Sequence, residues 1–214
     1  MVQPLVAIRP CISHIPAVNL PNAITFSRLL MTAAFVLAVS QGSLMGYVAG
    51  LGLFILAAVS DWLDGWLARR MGLVTPLGKL MDPLADKILV SVAFVFFTEK
   101  GLCPLWVTAL IMGREFLVTG LRQIAIEAGQ VLAADRLGKW KTTFQLAYLI
   151  AGLVGLTVAH AEEPGAVVAW LGHLARPPAE GGCLQGVFLW VAVSLTVISG
   201  GNYVWSARRL LGMK

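Results

Sequence analysis

The stretch SDWLDGWLARRMGLVTPLGKLMDPLADKI, Ser60–Ile88, decides how this chain is read. It holds four of the five aspartates in the 214-residue sequence, Asp61, Asp64, Asp82 and Asp86, set between two long apolar runs. Asp61 and Asp64 stand three apart, and Asp82 and Asp86 four apart. On helices both spacings put the paired side chains on one face. Only a short connection, marked by Pro76 and Gly78, separates the pairs. The two helices are therefore expected to be adjacent and antiparallel, with four carboxylates converging on one pocket.

Like charges this close cannot all ionise without compensation. Arg69, Arg70, Lys79 and Lys87 are near in sequence, but Arg70 and Lys79 are expected at a membrane interface, and bound divalent cations are the stronger solution. An all-oxygen donor set selects hard ions such as Mg²⁺ or Mn²⁺, with no Cys or His at hand for zinc. Two such ions about 4 Å apart, bridged by shared carboxylates, suit phosphoryl chemistry. Gly65 and Gly78 leave space for a nucleotide close to the backbone. Arg69 offers a guanidinium fork to a phosphate, and Thr75 a hydroxyl. The plainer reading pairs the aspartates with neighbouring cations to stabilise a bundle, but four buried carboxylates are a costly way to do so.

Outward from this segment the chain is apolar. It is 58% hydrophobic and 13% charged, with a mean hydropathy of +0.81, whereas a soluble domain carries about 25% charged residues. Six stretches, 23–41, 44–68, 80–99, 103–126, 140–160 and 184–207, approach the roughly 20 residues a spanning helix needs. Barrel strands would be about half as long and would alternate. The expected fold is an all-α integral membrane bundle of six transmembrane helices with a polar active-site cavity on the cytoplasmic side. Residues 1–22, broken by Pro4, Pro10, Pro16 and Pro21, read as an interfacial arm rather than a signal peptide. Residues 23–210 form the membrane domain and 211–214 a tail.

Charge sets the orientation. Arg9, Arg69, Arg70, Lys79, Arg136, Lys139, Lys141, Arg208, Arg209 and Lys214 fall on one side, against Lys100 and Arg176 on the other. The positive-inside rule makes both termini cytoplasmic. The net charge of +5 then suits anionic lipid head groups, and no nucleic-acid partner is expected. Cys11, Cys103 and Cys183, odd in number and isolated, give neither a disulfide framework nor a zinc site. His14, His160 and His173 are equally scattered. Gly42, Gly46 and Gly50 recur every four residues, a spacing that favours close helix packing within the bundle over a subunit interface.

Written as Asp61-x2-Asp64-Gly65-x2-Ala68-Arg69-x8-Gly78-x3-Asp82-x3-Asp86, the segment resembles the signature of the CDP-alcohol phosphatidyltransferases at all eight fixed positions. The resemblance covers most of the chain and implies six spans with the motif across the second and third. It implies that Asp61, Asp64 and Asp82 hold one metal ion, and that Asp61, Asp82 and Asp86 hold a second. It further implies that Gly65, Arg69 and Thr75 contact the CDP moiety of CDP-diacylglycerol, that Asp86 is the general base, and that the protein is a homodimer in a bacterial inner membrane.

Three looser patterns, NLPNAITFSRLL, MGREFLVTGLRQIA and LGKWKTTFQ, resemble the phosphatidylglycerophosphate synthases within that family. The implied acceptor is sn-glycerol 3-phosphate, with phosphatidylglycerophosphate and CMP as products. A dianionic acceptor fits Arg28, Arg114, Arg122, Lys139 and Lys141, all expected in or near the cytoplasmic half. For Lys139 and Lys141, ordinary positive-inside flanking competes evenly with substrate binding. Glu115 is expected to pair with Arg114 or to orient another cation. The rival readings keep the chemistry with serine, inositol phosphate or phosphatidylglycerol as acceptor, or make the chain a cation transporter or a non-catalytic scaffold. A transporter would spread its acids through the bilayer rather than cluster them at one end. A scaffold would typically have lost a motif aspartate.

Overall fold

The computed structural model describes the backbone of residues 20–71, 76–127, 136–162 and 183–210, with a few single positions between them. Side chains are described over 26–60, 87–126, 137–162 and 184–208. Six long helices make up these residues: α1 (Leu20–Ser40), α2 (Leu44–Met71), α3 (Pro76–Glu99), α4 (Leu105–Glu127), α5 (Arg136–Ala159) and α6 (Cys183–Leu210).

Local chemistry explains the helix ends. Gly42, at φ 61°, takes a left-handed conformation between α1 and α2 that a side chain would resist. Ser43 then caps α2, its Oγ accepting from the Gly46 amide at 3.1 Å. Pro76 is the first residue of α3, with Gly78 in the first turn. The pair therefore lies inside a helix rather than in a turn, because proline at a first helical position has its φ already set and loses no hydrogen bond.

The glycine series of α2 packs within the bundle. A Cβ on Gly46 would collide with the Ala38 carbonyl oxygen, and one on Gly50 would come within 2.5 Å of Val39 Cγ1. α1 packs on both α2 and α3, α2 on α5, α5 on α6, and α4 on α3 and α6. Phe35 of α1 is fully buried and wedges between its neighbours, 5.9 Å from Phe54 of α2 and 6.4 Å from Phe96 of α3. Tyr47, near the start of α2, meets Phe96, near the end of α3, at 6.4 Å. With the short 72–75 connection, that contact makes α2 and α3 antiparallel.

The bundle is polarised along its length. At the end holding the α1–α2 and α3–α4 turns, Phe35, Phe54, Phe94, Phe96, Phe97 and Tyr148 fill the core. Tyr148 stacks on Phe94 at 5.9 Å and donates to the Leu102 carbonyl oxygen at 2.8 Å. Among the described residues, Leu137–Ala159 and Leu184–Arg208 are long and apolar enough to cross a membrane. The core helix of a soluble protein passes the same test when mostly buried, but here only 28% and 39% of the two windows are buried. Leu37, Met45, Trp106, Ile126, Trp140, Trp170, Trp190 and Trp205 are also among the large apolar side chains left exposed. Such a surface is stable against lipid and marks a membrane-associated protein.

Candidate active site

The helical premise for the aspartates holds. Asp61, Asp64, Gly65 and Arg69 lie on the last turns of α2, and Gly78, Asp82 and Asp86 on the first turns of α3. Their side chains lie outside the described residues, as does Thr75 altogether. Among the described residues no group of three or more His, Cys, Asp or Glu is assembled. The all-oxygen chemistry of the motif aspartates, the donor set expected from sequence, fits a hard divalent ion.

The next residue on α3 is described, and it opens a polar cluster. Lys87 Nζ donates to the Glu115 carbonyl oxygen at 3.3 Å and to Thr119 Oγ1, and lies 3.8 Å from Glu115 Oε2. The same carboxylate binds two further cations. Arg114 Nη1 approaches Oε1 at 3.3 Å, and the Lys141 ammonium pairs with that oxygen too. One carboxylate of α4 therefore joins α3, α4 and α5, with Lys141 only 2% and Arg114 10% exposed.

α6 completes the arrangement. Arg114 Nη2 donates to Ser199 Oγ at 2.8 Å. Gly200 lets the helices approach, since a Cβ there would sit 3.1 Å from Arg114 Cγ. The buried Tyr203 ring lies 5.5 Å from the Arg114 guanidinium and 5.9 Å from that of Arg122, within cation–π range of both. Deeper in, Gln145 of α5 donates to Thr196 of α6 at 3.5 Å.

The five basic residues proposed from sequence separate into groups. Arg114 and Lys141 share Glu115, and Arg122 joins Arg114 through Tyr203. Lys139 is exposed while Lys141 is buried, because residues two apart on a helix face different ways. Arg28 is half-buried on α1, towards the same end of the bundle. Glu115 fulfils both alternatives left open for it, pairing with Arg114 and orienting lysines. Lys87 and Thr119 lie within the quoted stretches without being singled out for the site, and Ser199 and Tyr203 lie outside every motif. The one hint is a polar run, Ser199 to Tyr203, inside an otherwise apolar helix. Lys87, Arg114 and Lys141 thus outnumber the one carboxylate they share.

A family model described as CDP-alcohol phosphatidyltransferase matches residues 18–198. A Bacillus subtilis protein called CDP-diacylglycerol–glycerol-3-phosphate 3-phosphatidyltransferase is 38% identical over 198 residues, covering 86% of this chain and 93% of the relative. Proteins of the same name from Pseudomonas fluorescens and Rickettsia felis are 34% and 31% identical. They align with 90% and 89% of this chain, and with 88% and 96% of their own lengths. Together with four aspartates at the family's spacing, these matches place the chain: it belongs to the CDP-alcohol phosphatidyltransferase family.

Proposed function

We propose that the protein transfers the phosphatidyl group of CDP-diacylglycerol to sn-glycerol 3-phosphate, giving phosphatidylglycerophosphate and CMP in phospholipid biosynthesis. The names of the three relatives support this donor and acceptor. The observation that carries it is the cation cluster of Lys87, Arg114 and Lys141, in which Lys87 directly follows Asp86 on α3. A phosphate dianion uses such a cluster more fully than the single carboxylate of serine, and the relatives' names favour glycerol 3-phosphate over inositol phosphate.

Asp61, Asp64, Asp82 and Asp86 would hold two Mg²⁺ or Mn²⁺ ions. Such ions supply charge neutralisation for the diphosphate and for the departing CMP. Arg69, Gly65, Gly78 and Thr75 bind and orient the CDP moiety. Arg114, Lys141, Arg122, Lys139 and Arg28 draw in the acceptor phosphate. Asp86 accepts the proton of the acceptor hydroxyl. That oxygen bonds to the lipid-bearing phosphorus as the bond from phosphorus to the CMP oxygen breaks.

Six spans with both termini cytoplasmic in a bacterial inner membrane accommodate this chemistry, because a soluble acceptor must meet a donor whose tails stay in lipid. Two pairs of exposed tryptophans fit that placement. Trp106 and Trp190 lie 6.1 Å apart at the aromatic end, while Trp140 and Trp205 lie towards the other, as interfacial belts do. The residue 23–210 domain and the homodimer belong to the same proposal.

The test is turnover by purified protein with CDP-diacylglycerol, Mg²⁺ or Mn²⁺ and labelled glycerol 3-phosphate. Serine, inositol phosphate and phosphatidylglycerol run in parallel, with Asp86→Asn as blank. Metal-dependent transfer of label into lipid, lost in the variant, is expected. CMP release with a different acceptor only would overturn the acceptor assignment.

A further inference from the structure

Lys87 and Glu115 link two halves of the site. Lys87 follows Asp86 directly on α3, and its ammonium is fastened to α4 by the Glu115 carbonyl and carboxylate and by Thr119 Oγ1. The carboxylate also holds Arg114 and Lys141, and Arg114 is braced from α6 by Ser199. Any displacement of Glu115 therefore moves the helix of the general base and the cations of the acceptor pocket together.

We propose that Glu115 is the positioning residue that registers the acceptor-phosphate cations against the Asp86-bearing helix. The inference rests on the acceptor reading above. Glu115 need not touch substrate. With its negative charge it keeps three mutually repelling cations around one point, where a phosphate can bridge them, and sets that point relative to α3. Its side chain is 16% exposed and Lys141 is buried against it, so solvent does little to screen the arrangement.

Two effects oppose each other when this charge is lost. Removing an anion raises the positive potential of the pocket, which favours phosphate. Removing it also frees the cations to repel and splay, which destroys the bridging geometry. Positioning predicts that the second effect wins.

The test measures binding directly, by calorimetry on purified full-length protein, with glycerol 3-phosphate, inorganic phosphate and CDP as separate probes. Wild type, Glu115→Gln, Glu115→Asp and Lys87→Met are compared, with a melting temperature for each. Glu115→Gln is expected to weaken glycerol 3-phosphate and phosphate about tenfold while leaving CDP unchanged. Glu115→Asp should recover part of the loss, and Lys87→Met, which removes one of the three cations, should also weaken both phosphate probes while leaving CDP unchanged. Phosphate binding unchanged or tightened in Glu115→Gln would overturn the inference. So would a wild type that binds neither phosphate probe, or equal losses for CDP and phosphate that track a fall in melting temperature. Wild type that binds phosphate but turns over only another acceptor would overturn the acceptor reading and leave this inference standing.

Discussion

Arg114 and Ser199, 85 positions apart in sequence, meet at 2.8 Å between Nη2 and Oγ. The hydroxyl fixes one arm of the guanidinium while Glu115 fixes another at 3.3 Å. A planar fork held at two points presents its remaining donors in a set direction. Ser199→Ala releases one point only. A hydrogen bond to a charged group contributes about 1.5–3 kcal/mol, but the Glu115 contact remains. The acceptor KM should rise roughly tenfold, close to the low end of that range, with the KM for CDP-diacylglycerol unmoved. Steady-state kinetics with each substrate varied in turn checks this.

On the proposed mechanism, loss of Asp86 removes the proton acceptor. Asp86→Asn should lower kcat by about 10²–10⁴-fold, while calorimetry shows CDP still bound. A variant retaining more than a tenth of wild-type turnover would take the general-base role away from Asp86.

Chelation should silence the enzyme reversibly. EDTA treatment is expected to abolish CMP release, and Mg²⁺ or Mn²⁺ to restore it, since an all-carboxylate set has little hold on softer ions. Activity that survives exhaustive chelation would contradict the metal assignment.

Two glycines predict opposite stabilities. A Cβ on Gly152 would lie 2.5 Å from Phe97 Cζ and 2.7 Å from Gln185 Nε2, whereas one on Gly52 meets nothing within 4 Å. Gly152→Ala should destabilise by about 1–3 kcal/mol through overpacking. Gly52→Ala should be neutral or stabilise by up to about 1 kcal/mol through helix propensity. Thermal melts of the two variants side by side test the packing of α5 against α3 and α6.

Orientation is testable with single cysteines in a background lacking Cys11, Cys103 and Cys183. Lys139→Cys and Lys100→Cys should react with a membrane-impermeant thiol reagent from opposite faces of sealed cells or inverted vesicles. Labelling of both from the same face would refute the six-span arrangement.

The helical frame is legible in the sequence because apolar runs of about 20 residues have few alternatives. The aspartate pattern is legible because helical spacing alone puts each pair on one face. The Glu115 hub is less so. GREF at 113–116 displays an arginine beside a glutamate, but neighbours in sequence reveal nothing of Lys141 arriving from α5 or Ser199 from α6. Those contacts depend on how each helix is rotated, which apolar residues on nearly all sides leave undetermined. Lys139 and Lys141 illustrate the point. They look alike as a flanking pair, yet one is exposed and the other is enclosed.

The aromatic half of the bundle has a bearing on the cell as well as on the fold. A cleft that admits a charged metabolite partway into a bilayer is an incipient leak for protons and ions. Phe35, Phe54, Phe94, Phe97 and Tyr148 are all 0% exposed, and in the proposed six-span arrangement they would act as a stopper across the remaining thickness. On that arrangement an energised membrane would host this catalyst without losing its gradient. Hollowing the stopper would harm the cell by short-circuiting the membrane potential, even where lipid synthesis continues.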